Sequence, residues 1–266
     1  MENNNMISFG DELYSIIKHT KSVLFSQGEL AQLTYQAFDA YAGQINKSKV
    51  DKIKISYPVG YTPQRQTILS EYDYSKSELV QRYSYLGLTQ LPINGIYQLV
   101  TLIEAMFGDI LRAIIIKYPK KIGGKKNIIA ANVLNFNSIE EIKYFIADSI
   151  LNELSYKSPK EFSDEFNKYT SINMIESPLY HRYIELKATR DIYIHNKGVA
   201  NEIYLSKSGS HARVKLSELL PVDVQYFLES YEYCLQICEL LEEKLHEIWP
   251  SSQYELDKSK IKEKST

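Results

Sequence analysis

The chain has 266 residues, 44% apolar and 24% charged, enough apolar material for one large buried core and too much for general disorder. With 31 basic residues against 33 acidic ones the formal charge is −2, so no global field draws the chain to nucleic acid, and any RNA contact has to rest on a local patch. The opening MENNNMISFGDEL has no basic stretch followed by an apolar one, so no signal peptide is expected and a cytoplasmic location is the natural expectation.

Leu13, Ile16, Ile17, Thr20 and Leu24 recur at helical spacing and predict an amphipathic helix over residues 9–26. Gly28 is expected to interrupt it, with a second helical stripe at Leu30, Leu33, Ala37 and Tyr41. KVDKIKISYPVGYTP alternates briefly at Ile53, Ile55 and Tyr57 and then meets Pro58, Gly60 and Pro63, which predicts a loop with at most a short strand. Residues 64–87 are predicted helical, with Leu79, Val80, Tyr83 and Leu86 on one side. The first 90 residues thus make an N-terminal helical extension without a nameable motif.

The strongest helical pattern runs over about residues 95–117 and carries Ile96, Leu99, Val100, Ile103, Phe107, Ile110, Leu111 and Ile114; Pro119 stops it. Glu104, Asp109 and Arg112 interrupt this apolar segment, so it is read as a buried helix and not a membrane span. KYPKKIGGKKN comes next. Its lysines, Lys117, Lys120, Lys121, Lys125 and Lys126, suit either an RNA backbone or an ordinary solvated loop. Gly123-Gly124 lacks the Lys-Ser/Thr of a phosphate-binding loop.

Ser138 and Glu141 predict a capping box ahead of a helix with Ile139, Ile142, Ile146 and Ile150 on its apolar side. Ser158-Pro159 opens a further short helix, and residues 177–197 a longer one. GVANEIYLSKSGSHARVKL reads as a loop or a short hairpin, and residues 221–249 as a closing helix that ends at Pro250. Cys234 and Cys238, four apart on that helix, read as core residues. Residues 251–266 read as a basic, frayed tail. The expected fold class is all-α.

One stretch carries chemistry: KATRDIYIHNKG, Lys187 to Gly198. On a helix from Tyr180 to Asn196, Tyr180, Ile184, Ala188 and Ile192 form an apolar stripe, and Asp191 and His195 fall on it too. Such a stripe tolerates ionisable groups only if they are paired, and Asp191 and His195 are i, i+4 neighbours able to pair with each other. Arg190 lies about 140° round from His195, yet its long stem can swing the guanidinium to the same end. The helix end places His195 where the dipole favours a protonated ring, which suits general acid–base work, and an arginine beside it suits a phosphate. The plainer reading is an Asp–His pair that closes a helix end. Asn196 fits a phosphate contact or a helix cap equally well. Glu104, at the edge of its helix stripe, is a candidate partner of Arg190 or a solvated flank residue. His19, His181, His211 and His246 show no ligand spacing, so no metal site and no cofactor are expected.

Arg190-Asp191-Ile192-Tyr193-Ile194-His195 matches an arginine, a polar residue, a short gap and a histidine, and the surrounding YHRYIELKATRDIYIHNKGVANEIYL resembles the motif helix of the HEPN family of prokaryotic defence and toxin proteins. NFNSIEEIKYFIADSILNEL and IYQLVTLIEAMFGDILRAII resemble earlier helices of that domain, so the resemblance spans about residues 91–250. It implies a HEPN-like helical bundle acting as a homodimeric, metal-independent endoribonuclease on an RNA substrate. His195 would activate the 2′-hydroxyl or protonate the leaving oxygen, Arg190 would stabilise the phosphorane, and Asp191 would orient the pair. It also implies an antitoxin or nucleotidyltransferase partner and no membrane. Two rivals stand beside it: a non-catalytic helical interaction module, and a nucleotide-binding sensor.

Overall fold

The computed structural model describes residues 7–123 and 133–264, with Asn127 and Ile129 between them. It is mostly helical, 74% helix against 8% strand, which sets the all-α class with one small sheet attached. In order the elements are α1 (Phe9–Lys47), β1 (Lys52–Tyr61), β2 (Thr67–Ser75), α2 (Lys76–Tyr85), α3 (Leu91–Lys117), α4 (Ile139–Ser155), α5 (Pro159–Thr170), α6 (Pro178–Asn196), α7 (Glu202–Ser208), α8 (Val224–Ile248) and α9 (Ser252–Lys264). Among the described residues no helix is long and apolar enough to cross a membrane.

α3 is the axis of the core. Ile96, Leu99, Val100, Ile103, Phe107, Ile110, Leu111 and Ile114 are all buried on it, as the periodicity predicts. Around it pack α1, α4, α6 and α8 in one apolar cluster. α1 begins where Ser8 accepts a hydrogen bond from the Asp11 N–H at 3.0 Å, with Asp11 and Glu12 in the first turn to complement the helix dipole. Its buried Leu13, Ile17 and Leu24 belong to the same core as α3, so the start of the expected N-terminal extension is built into the body.

Gly28 does not interrupt the helix. α1 runs on for 39 residues, about 58 Å at the usual rise. The glycine is where the helix passes Tyr231: a Cβ there would come within 3.1 Å of its ring. Beyond it, Leu30, Leu33, Tyr35 and Tyr41 are exposed.

Residues 64–75 are not helical. β1 and β2 pair antiparallel, with Ile53 opposite Tyr74 and Ile55 opposite Tyr72, and the register shifts between Pro58 and Gly60. Arg65, at φ 62°, turns the loop, and Thr62 accepts the Gln66 N–H at 3.1 Å. Helix starts only at Lys76, where Ser75 and Glu78 form a full capping box. A strand gains its backbone partners from the facing strand, and the helical side-chain spacing of Leu79, Val80 and Tyr83 belongs to α2 alone. Between α2 and α3 the chain makes a π-helical turn, Leu86–Gln90, in place of a loop.

The capping box expected at Ser138 is half formed. Ser138 accepts from the Glu141 N–H, but the Glu141 carboxylate accepts from the Asn137 N–H and not from Ser138. The segment read as a loop or hairpin contains α7, and one isolated bridge pairs its Val199 with Leu219 just beyond it. The tail is not frayed. α9 docks on α1 through Asp11, which accepts from the Ser251 hydroxyl at 2.7 Å and the Gln253 N–H at 3.0 Å, and through Asp257, 2.5 Å from the Lys18 ammonium. Cys234 and Cys238 are free and buried, as expected of core residues, and burial pushes the Cys238 thiol up to about 12.

Candidate functional site

α6 opens with Pro178 in its first turn and buries Tyr180, Tyr183, Ile184, Ala188 and Ile192 against the core. Glu185 and Thr189 are buried on it as well, a pair that the sequence pattern does not reveal. Buried carboxylates need partners, and Glu185 has four. Its Oε1 accepts from Thr189 at 2.7 Å, Tyr204 at 2.9 Å and Arg213 Nε at 3.0 Å, and its Oε2 accepts from Tyr226 at 2.8 Å. Arg213 also donates to the Pro221 carbonyl and stacks 3.6 Å above the Tyr226 ring. This network ties α8 and the segment carrying α7 to α6.

At the other end of α6 the backbone turns through Lys197 (φ 54°) and Gly198 (φ 81°), and the Gly198 N–H reaches the Ile192 carbonyl at 3.2 Å. Asn196 acts here as a cap: its side-chain amide donates to the Val199 carbonyl at 2.5 Å.

Next to this helix end lies a cleft of about 880 Å³ between α3, the α4–α5 loop, α6 and α7. Arg190, Asp191 and His195 all line it, and so does Glu104. The expected Asp191–His195 pair is not formed. Asp191 lies 3.2 Å from Arg190 Nη1 and 3.2 Å from Lys207 Nζ. Arg190 Nη2 meets Glu104 at 2.8 Å, and Lys187 Nζ meets the other Glu104 oxygen at 2.5 Å. Glu104 is thus a partner of Arg190 and not a solvated flank residue.

The result is one chain of alternating charge, Lys187–Glu104–Arg190–Asp191–Lys207, with three cations against two carboxylates. Lone charges there would be costly to hold in a half-buried wall, and alternation compensates each one. His195 stays outside the chain: it is exposed and makes no hydrogen bond or ion pair with a described residue. Two buried donors on this wall, Arg190 Nε and the Tyr183 hydroxyl, have no partner among the described residues. Burial, followed by the negative charge of Glu104, holds the Tyr183 phenol well above its ordinary range, so it remains a protonated donor.

Of the lysines of KYPKKIGGKKN, Lys117, Lys120 and Lys121 do not line this cleft. Lys120 is exposed elsewhere, and Lys121 donates to the Tyr169 carbonyl at 2.6 Å and lies over the Trp249 ring. Lys125 and Lys126 lie outside the described residues. Three lysines that do line the cleft, Lys157, Lys187 and Lys207, are not singled out by the sequence. Lys187 could have been found from its three-residue spacing to Arg190 on one helix; Lys207 could not, because it sits in the segment read as loop. Among the described residues no group of three or more His, Cys, Asp or Glu side chains is arranged to hold a metal ion.

Comparison with family models, with curated proteins and with solved structures returns no match.

Proposed function

We propose that the protein is a HEPN-type endoribonuclease of a toxin or antiviral defence system, working as a homodimer without a metal ion. The observation that carries this reading is the placement of His195: an exposed imidazole without a partner among the described residues, on the last turn of α6, in the same cleft as the Arg190–Asp191 pair. In the proposed reaction one imidazole takes the proton of a ribose 2′-hydroxyl. The 2′-oxygen attacks the adjacent phosphorus, and the bond to the 5′-oxygen breaks. That oxygen leaves as a hydroxyl with a proton from a second acid, and a 2′,3′-cyclic phosphate remains. One His195 supplies one half of this acid–base couple, and a second copy across a two-fold axis supplies the other. Arg190, held by Glu104 and Asp191, offers the phosphorane oxygens the Nη protons that these carboxylates leave free.

A non-catalytic reading draws support from the same arginine. Arg190 is engaged by carboxylates on two sides, as a clamp between α3 and α6 would be. Purified protein incubated with single-stranded RNA in EDTA separates the two. The nuclease reading expects new 2′,3′-cyclic phosphate ends from wild type and none from His195→Ala, with a dimer in light scattering. Cleavage that needs magnesium, or His195→Ala cutting as wild type does, overturns it.

A further inference from the structure

The far end of the cleft from His195 has a different character. Tyr156 comes directly after α4 and is 85% exposed, and its ring has no aromatic neighbour and its hydroxyl no hydrogen bond among the described residues. It nonetheless lines the cleft, together with Lys157 beside it and Phe162 one turn into α5. Lys157 forms no ion pair with a described residue, in contrast to Lys187, Arg190 and Lys207 across the cleft.

The backbone that presents Tyr156 is well held. Only Tyr156, Lys157 and Ser158 separate α4 from α5. Tyr156 and Lys157 donate back to the Glu153 and Leu154 carbonyls. Ser158 opens α5 with a full capping box to Glu161. The Tyr180 hydroxyl donates to the Pro159 carbonyl at 3.1 Å, which ties the loop to α6, the helix that carries Arg190 and His195. An aromatic face left open to solvent, on a short anchored loop beside a lysine that no described residue holds in an ion pair, is what a flat heterocycle with an adjoining phosphate requires.

We propose that Tyr156 is a base-stacking subsite for single-stranded RNA, and that Lys157 takes the phosphate next to the stacked base. The proposal deepens the ribonuclease reading and rests on it for the identity of the polymer. The occupant is single-stranded because bases inside a duplex already stack on one another and offer no free face. In this arrangement the subsite holds the strand so that a neighbouring phosphodiester lies at the Arg190–His195 end.

The test is fluorescence anisotropy with the full chain and a labelled ten-nucleotide 2′-O-methyl oligoadenylate, which has no free 2′-hydroxyl to react. Wild type should bind it. Tyr156→Ala should bind roughly tenfold or more weakly, the loss expected for one stacked base. Tyr156→Phe keeps the ring and should match wild type. An abasic oligonucleotide of the same length should bind wild type as weakly as the adenylate binds Tyr156→Ala. The exposure of Tyr156 keeps folding out of the comparison, and a thermal melt of each variant verifies this.

Equal binding by Tyr156→Ala and wild type, no binding by wild type, or equal binding of abasic and adenylate strands each overturns the subsite. Adenosine monophosphate that competes at the oligonucleotide's own concentration also overturns it, because the site would then serve free nucleotides. Cleavage of unmodified RNA by the same preparations keeps the two proposals apart. The stacking pattern without cleavage by wild type leaves the subsite standing and removes the ribonuclease. Cleavage that depends on His195, with Tyr156→Ala binding and cutting as wild type, does the reverse.

Discussion

Arg190 on α6 and Glu104 on α3 meet at 2.8 Å, and this contact joins two helices whose residues lie 86 positions apart in the chain. It makes Arg190 part of the scaffold as well as part of the cleft. The Arg190 side chain is only 20% exposed and that of Glu104 37%, with Lys187 bound to Glu104 and Asp191 to Arg190.

Arg190 and His195 are therefore expected to differ in what they do to stability. Arg190→Ala leaves Glu104 and Asp191 short of a partner and should cost about 1–2 kcal/mol, below the ~3–5 kcal/mol of a fully buried broken pair because the carboxylates still reach water. His195→Ala removes an exposed ring that no described residue holds and should stay within about 0.5 kcal/mol of wild type. Urea unfolding of both variants measures this. Equal destabilisation by the two would mean that His195 is a structural residue.

Glu185 is the larger structural commitment. Glu185→Ala strips four donors of their acceptor and leaves the Arg213 charge half-buried, with an expected loss of about 3–5 kcal/mol. Arg213→Lys keeps the charge but not the planar fork, so it should lose about 1–3 kcal/mol of the same network. Limited proteolysis between residues 199 and 222 should speed up in both variants, because this segment is held to α6 through Arg213.

Gly10 lies where the start of α1 touches the end of α8. A Cβ there would come within 2.2 Å of the Pro250 carbonyl oxygen and 2.4 Å of the Trp249 carbonyl oxygen, both backbone atoms that cannot rotate away. Gly10→Ala should destabilise the protein by about 1–3 kcal/mol or more through overpacking. Fluorescence of Trp249, the single tryptophan, is a local reporter because its ring packs edge-on against Phe9. An unchanged spectrum and melting point would contradict the close approach.

Acid should loosen α9. The Ser251 hydroxyl and the Gln253 N–H hold Asp11 well below the ordinary carboxylate range, and hydrogen bonds from Lys18 and Gln253 hold Asp257 at about 2. Both values are depressed, so the unfolded chain binds more protons than the folded one between the two limits. Their contribution is present above the ordinary value of 3.8 and is lost as pH falls through the folded values. Glu242 has the opposite sign, since burial raises it and protonation relieves a strain on folding. Trp249 fluorescence and amide exchange in α9, monitored from pH 7 to 2, should show α9 released before the α3 core unfolds. Asp11→Asn should remove most of that pH dependence. Simultaneous loss of α9 and α3 in wild type would contradict it.

The helices of the core were legible in the sequence because each buries one face, and 3.6-residue periodicity records that face residue by residue. α3, α4, α5, α6 and α8 lie within a few residues of where their apolar stripes and caps place them, and the all-α class comes from them. The Arg190–Asp191–His195 spacing was equally plain. The tertiary structure decided who pairs with whom. Asp191 turned from its i, i+4 neighbour His195 to Lys207 on α7 and to its chain neighbour Arg190, and Arg190 found Glu104 on α3, because helices packed against α6 supply partners that position along one helix does not disclose. The β-hairpin, the unbroken α1 and the docked α9 were hidden for the same reason. A strand needs a facing strand, Gly28 needs the Tyr231 ring beside it, and a polar tail helix needs Asp11 and Lys18 to hold it. Periodicity reports that a face will be buried; only the packed chain determines what lies against it.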